Sequence, residues 1–209
     1  MAKADELKRL YQELEKSAPS LPLATVATDI VPGEGNIDAE IMFIGEAPGQ
    51  NEAIQRRPFV GRSGQLFRKT LQEAAGIAET EVYISNIVKV RPPENRDPSP
   101  SEILAYKPFL NQEIEIIRPQ VIVTLGRLSM GKFLPDVKIS QVHGRLHKIN
   151  WNERVLFVLP MYHPAAALRA TKLKAEFVAD FAKLPKILAW IKDQGSLGEL
   201  QSAVSEALL

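Results

Sequence analysis

Four short apolar runs constrain this chain more than anything else in it. They are Glu40–Ile44, Val82–Val88, Val121–Leu125 and Val155–Leu159, and stretches with helical spacing stand between them. Short, β-branched-rich runs that alternate with helices predict parallel strands buried on both faces, hence an α/β fold. The helices expected around them are 3–16, with Leu7, Leu10, Tyr11 and Leu14 on one side, then Gly64–Ala75 closed by Gly76. Pro100–Ile117 follows, entered at Ser99 or Ser101 and stopped before Pro119. After it come a short helix from Gly126 to Phe133 and a long one over Glu176–Lys192. Val142–Trp151 forms a hairpin or an extra strand. Residues 17–36 read as an ordered loop lying on the body, and a short helix is expected beyond Gly195. No internal repeat or linker divides the chain, so 1–209 is expected to be one domain.

The loops after the strands are unlike ordinary connections. GEAPGQNEAIQRRPFVGRSGQLF follows the first strand, RPPENRDPSP the second, and MYHPAAALR the fourth. In open parallel sheets, ligands bind outside the carboxyl ends of the strands. These loops are therefore expected to converge on one pocket.

Composition excludes several classes. With 26 Lys and Arg against 25 Asp and Glu, the net charge is +1, so a nucleic-acid partner must be argued from local patches. Cysteine is absent. That removes disulfides, thiolate nucleophiles and Cys-ligated iron–sulfur or zinc sites. No apolar run approaches the ~18 residues of a membrane span. The charged, helical N-terminus is not that of a signal peptide, and a cytoplasmic protein is expected.

Within the loops, Gly45 and Gly49 let the backbone turn tightly beside Glu46, an acid either solvated or held at a strand end. The Lys-Ser/Thr of a P-loop is missing. Phe59, between Pro58 and Val60-Gly61, is a core plug or a stacking platform. Arg56, Arg57 and Arg62 beside it favour a platform near phosphates. Asn86 either braces a loop or reads a pyrimidine edge with its paired donor and acceptor. Lys89, Arg91 and Arg96 follow it. His163 stands just past the last strand, before a proline turn and three alanines. Leu168 fills the core or wedges into a duplex. His143 and His147 are four apart, but on what reads as extended chain, so no metal site is assigned.

Taken together, these motifs resemble the uracil-DNA glycosylase superfamily, and its thermophile-type family 4 enzymes most. The residues that carry the resemblance are GEGN, GEAPG with Glu52, RPFVGRSGQL, VYISNIVKVRPPENR, the LG after the third strand and HPAAALR. The resemblance implies a three-layer α/β/α sandwich around a central four-stranded parallel sheet. It implies a monomeric DNA-repair enzyme that hydrolyses the N-glycosidic bond of deoxyuridine in DNA. Glu46 and His163 would be catalytic. Phe59 and Asn86 would hold the flipped uracil, with Ala47 and Glu52 shaping its pocket. Arg57, Arg62, Lys89, Arg91, Leu168 and Arg169 would meet DNA. A non-catalytic module for damaged or single-stranded DNA, or a glycosylase for hypoxanthine or xanthine, would carry much the same motifs. Family 4 enzymes also hold a four-iron cluster on four cysteines. Here those positions align with Ala18, Leu21, Val90 and Tyr106, so no cofactor is expected. The four side chains are expected to touch one another as an apolar plug.

Overall fold

A computed structural model describes residues 2–193. Its centre is a six-stranded sheet in the order β1-β3-β2-β4-β6-β5. The four strands expected from the sequence are β2 (Ile41–Gly45), β3 (Val82–Asn86), β4 (Val121–Leu125) and β6 (Arg154–Met161), all mutually parallel. Two antiparallel edge strands enlarge the expected four-stranded sheet to six. They are β1 (Glu34–Gly35), beside β3, and β5 (His147–Trp151), beside β6. The two residues of β1 carry no apolar period, and Gly35 has φ +123°, so no local pattern marks a strand there. The hairpin left open at 142–151 is β5 turning into β6.

Side-chain alternation splits the core into two halves. Met42, Ile44, Ile122, Leu156 and Val158 face one cluster, which α1 (Lys3–Ser17) and α4 (Pro100–Ile117) cover with Leu14, Tyr106, Leu110 and Ile114. Ile41, Phe43, Val121, Val123 and Leu159 face the other, under Phe67 and Leu71 of α3 (Arg62–Ala75) and Phe177 and Phe181 of α8 (Thr171–Phe181). This is the three-layer α/β/α arrangement.

Local chemistry sets the helix ends. Ser99 opens α4 by accepting from the Glu102 amide, while the Glu102 carboxylate accepts from the Ser99 amide at 2.7 Å. At the far end of α3, Gly76 takes φ +65°, and the Ile77 amide reaches back to the Leu71 carbonyl at 3.2 Å. The expected long C-terminal helix departs from its pattern. It begins earlier, at Thr171, and turns at 182–183 before helical residues 184–193. There Lys183 bends back to the buried Asp180 carboxylate at 2.7 Å. The helix expected beyond Gly195 lies outside the described residues.

Strand order positions the site. The chain runs from β2 outward to β3, then crosses back over β2 to β4. Loops leave in opposite directions at that reversal, which opens a crevice at the carboxyl ends of β2 and β4.

Candidate active site

A cavity of about 680 Å³ occupies this crevice. β2 ends at Gly45, directly before the lining residue Glu46. A side-chain carbon at Gly45 would collide with the Asn86 amide and the Phe59 ring, so glycine is what lets those two groups lie over the strand end. Backbone pairing runs past the formal strands: the Ile87 amide donates to Gly45 (3.0 Å) and the Val88 amide to Glu46 (3.1 Å). Glu46 and Asn86 are thereby fixed side by side.

Phe59 is both plug and platform. It is 5 % exposed and packs against Phe67 with ring centroids 5.2 Å apart, yet it lines the cavity, its centroid 6.0 Å from that of His163. Its backbone sits at φ 54°, a costly conformation for a bulky residue. Three neighbours hold it there. Arg68 donates to the Phe59 and Pro58 carbonyls, each at 2.9 Å. Glu52 Oε1 accepts from the Val60 and Gly61 amides at 2.9 and 2.6 Å. Gly64 has no side chain to strike the Phe59 backbone.

Asn86 is 3 % exposed, and its Oδ1 has no hydrogen-bond partner. A buried amide oxygen left unpaired costs roughly 1–3 kcal/mol unless a ligand pairs it. His163 opposes it with a defined donor. It caps the short helix α7 (Pro164–Ala167), its Nδ1 accepting from the Ala165 amide at 3.1 Å. The proton of the neutral ring therefore sits on Nε2. Burial pushes the His163 pKa down to about 4, against the opposing pull of the Glu52 carboxylate, so the ring is neutral at pH 7. Gly126, at φ +101°, lets the β4 end pass close to the His163 Cβ.

Glu46 is the acid of the site. Burial first, and the neighbouring Asp97 carboxylate second, push its pKa up to about 7; the Arg127 guanidinium partly offsets them. Asp97 and Arg127 form an ion pair at the cavity mouth, each with a 61 % exposed side chain. Neither was read from the sequence. Their ion pair spans 30 residues, and no local pattern announces it.

Of the other expected site residues, Ala47, Glu52 and Arg169 also line the cavity. The rest lie off it. Arg57 is held by Glu34 at 2.7 and 3.1 Å, and Arg91 by Asn95 at 2.8 Å. Arg62 opens α3 at the surface, and Leu168 stands 43 % exposed at the end of α7. Lys89 requires a correction. It is 1 % exposed, and its ammonium bonds the buried Glu113 carboxylate at 2.5 Å, so it has no face for a phosphate. Ser85, Tyr83 and Tyr11 complete that interior network. Arg56, another cation offered to phosphates, instead ties its loop to Glu15 and to the Ile30 carbonyl.

Comparison with known proteins shows the family. The model of the uracil DNA glycosylase superfamily matches residues 32–184. The chain belongs to that superfamily. Among its relatives, a type-4 uracil-DNA glycosylase of Saccharolobus solfataricus is 45 % identical over 190 residues, 88 % of each chain. One from Sulfurisphaera tokodaii is 41 % identical over 188 residues, 88 % of this chain and 85 % of its own. One from Thermotoga maritima is 40 % identical over 193 residues, 91 % and 98 % of the two chains.

The four positions aligned with the cluster cysteines of family 4 do not fit an iron–sulfur cluster in this superfamily member. Ala18, Val90 and Tyr106 are buried in one apolar cluster, with Leu21 packed against it. Three are hydrocarbon side chains. The fourth, Tyr106, donates its hydroxyl to the Pro22 carbonyl at 2.6 Å, and burial holds that phenol protonated. Among the described residues no group of three or more His, Cys, Asp or Glu could hold a metal ion. Nor is any described helix long and apolar enough to cross a membrane.

Proposed function

We propose that this crevice takes a uracil flipped out of DNA and hydrolyses its N-glycosidic bond, leaving free uracil and an abasic site. The observation that carries this is the buried, unpartnered Oδ1 of Asn86, in a cavity where His163 offers an Nε2–H donor. Uracil N3–H donates to Oδ1, and its O4 accepts from the Asn86 amide nitrogen. Cytosine has a lone pair at N3 and an amine at position 4, so the same amide rejects it. Phe59 stacks on the base, and Ala47 and Glu52 shape the pocket around it.

Extrusion costs a few kcal/mol of lost stacking and pairing. The C1′–N1 bond then breaks with its electron pair passing to the base. Negative charge gathers on O2, where the neutral His163 donor meets it without first losing a proton of its own. A preorganised donor of this kind contributes ~10²–10³ in rate. The Glu46 carboxylate stabilises positive character at C1′ and orients water, whose oxygen bonds to C1′. The water proton balances the departing base anion. Every part of this hydrolysis is supplied by side chains and water, so the enzyme works without a cofactor. Arg62, Arg169 and Leu168 approach the DNA, and the protein acts as a monomer of one domain.

The test is incubation of metal-free protein with single- and double-stranded oligonucleotides bearing uracil, hypoxanthine or xanthine, followed by alkaline cleavage. Strand breaks at uracil are expected. Tight binding with no break across pH and salt would instead make the protein a binding module, and breaks only at the purine lesions would overturn the role given to Asn86.

A further inference from the structure

The cavity is larger than its base-binding end needs. A single pyrimidine ring fills only a fraction of 680 Å³, and the remaining wall has its own chemistry. Tyr162, directly before His163, lines the cavity too, as do the apolar Ile139 and Leu173 and the exposed Arg169.

Tyr162 is also braced from behind. The His143 ring lies against it, centroids 4.4 Å apart with the planes 37° from parallel. His143 is in turn fixed by Asp180, Nδ1 to Oδ2 at 2.6 Å. Asp180 is 1 % exposed, and Lys183 binds its other oxygen at 2.7 Å. Gly144, at φ +66°, leaves the space the carboxylate occupies, since a side-chain carbon there would strike Oδ1. A buried carboxylate, an imidazole and an aromatic ring thus form a relay of contacts ending at the cavity wall. Nothing in the hydrolysis uses it.

We infer that this wall is a second nucleotide subsite, in which Tyr162 stacks on the base flanking the extruded uracil while Arg169 takes the intervening phosphate. Aromatic rings stack on any base, so this subsite grips the strand without reading its sequence. His143 and Asp180 are positioning residues that act through Tyr162. The inference rests on the glycosylase reading of the same cavity.

The experiment uses single-stranded uracil oligonucleotides in which the base on the 5′ side, the 3′ side or neither is replaced by an abasic tetrahydrofuran. With the parent protein, removing one particular flanking base is expected to raise KM about tenfold, the scale of one stacked base. Tyr162→Leu should show that loss with the intact strand and no further loss with the abasic flank, while Tyr162→Phe keeps the parent pattern. His143→Ala should weaken the flank effect without altering the preference for uracil over cytosine. Parent kinetics indifferent to both flanks would overturn the subsite, a measurement that needs no variant to fold. A flank effect that survives Tyr162→Leu would remove Tyr162 from it. If no strand is cleaved, the glycosylase reading fails by itself, and fluorescence anisotropy of the same strands still decides whether a flanking base is held.

Discussion

Replacing Glu46 by glutamine should stabilise the protein while abolishing its chemistry, and the gain should appear only above a definite pH. Glu46 ionises at about 7 in the folded chain, against 4.5 for a free side chain. Below pH 4.5 the folded and unfolded forms both hold the proton, so parent and variant differ little. Between 4.5 and 7 the folded form keeps a proton that the unfolded form has shed. The parent therefore loses stability as pH rises through that window, and above 7 the loss is complete. Glutamine has no proton to lose and keeps its amide beside Asp97. The gap of roughly 2.5 pH units sets a ceiling of about 3 kcal/mol. Because Glu46 is only half-buried and solvent screens it, about 2 kcal/mol is the expected gain. For a chain of this size that is about 4–8 °C in melting temperature.

Thermal unfolding of both proteins at pH 4, 6 and 8 measures this directly. The two curves should coincide at pH 4 and separate progressively to pH 8. Asp97→Asn supplies an internal control: with the neighbouring negative charge gone, Glu46 should ionise at lower pH and the window should narrow from above. A constant difference at all three pH values, or a parent more stable than Glu46→Gln at pH 8, would refute the electrostatic account of this site.

Three further substitutions probe the other roles. His163→Ala should lower the single-turnover excision rate by ~10²–10³ with little change in DNA affinity. Since His163 is neutral above pH 5, the rate of the parent should rise through about pH 7 with Glu46 alone; a limb near 6.5 that vanishes in His163→Ala would contradict this. Asn86→Asp should cut uracil excision and admit cytosine, and a panel of both bases in one sequence context detects an unchanged preference. Lys89→Met should cost about 3–5 kcal/mol in denaturant unfolding by stranding the Glu113 charge, and adding Glu113→Gln should recover most of it.

Much of the scaffold was legible because its signals are local. Helix α4 runs from Pro100 to Ile117 as expected, since Ser99 with Glu102 opens it and Pro119 follows its end. The central parallel strands follow from β-branched runs that need burial on both faces. What escaped has weak local signals. Helix α2 (Gln50–Gln55) is six residues long, buries only Glu52 and leaves Ile54 73 % exposed, so it offers no apolar stripe. The turn at 182–183 depends on Asp180, whose partner His143 is 37 residues away. The site shows the same division. Glu46, Phe59, Asn86 and His163 each announce themselves at a strand end or a Gly/Pro turn, and the fold gathers all four around one cavity. Asp97, Arg127 and Tyr162 look like ordinary loop residues until the fold supplies their neighbours. Lys89 misled for the opposite reason: it sits in a basic loop, but Glu113 on α4, 24 residues on, draws it inside.

The unfavourable features at the cavity wall are not scattered at random. Asn86 holds an unpaired buried oxygen, Glu46 ionises late, and Phe59 takes a left-handed backbone. Each is costly in the free protein, and under the proposed function the first two would be met by a pyrimidine and its sugar. Behind them one polar network is satisfied: Glu113 is met by Lys89, Ser85, Tyr83 and Tyr11, and the Gly33 amide donates to Tyr11 at 2.6 Å. Ser85 and Asn86 are consecutive in β3, so one points into that network and the other into the cavity. The strand that carries the strained amide is thus anchored one residue away by an ion pair sealed from water. Ala18, Val90 and Tyr106, with Leu21 packed against their cluster, add apolar burial on the same face. A rigid back wall is what allows the front wall to stay under-satisfied. Loosening it at Lys89 should therefore relax Asn86 toward other partners and blur uracil from cytosine before the fold is lost.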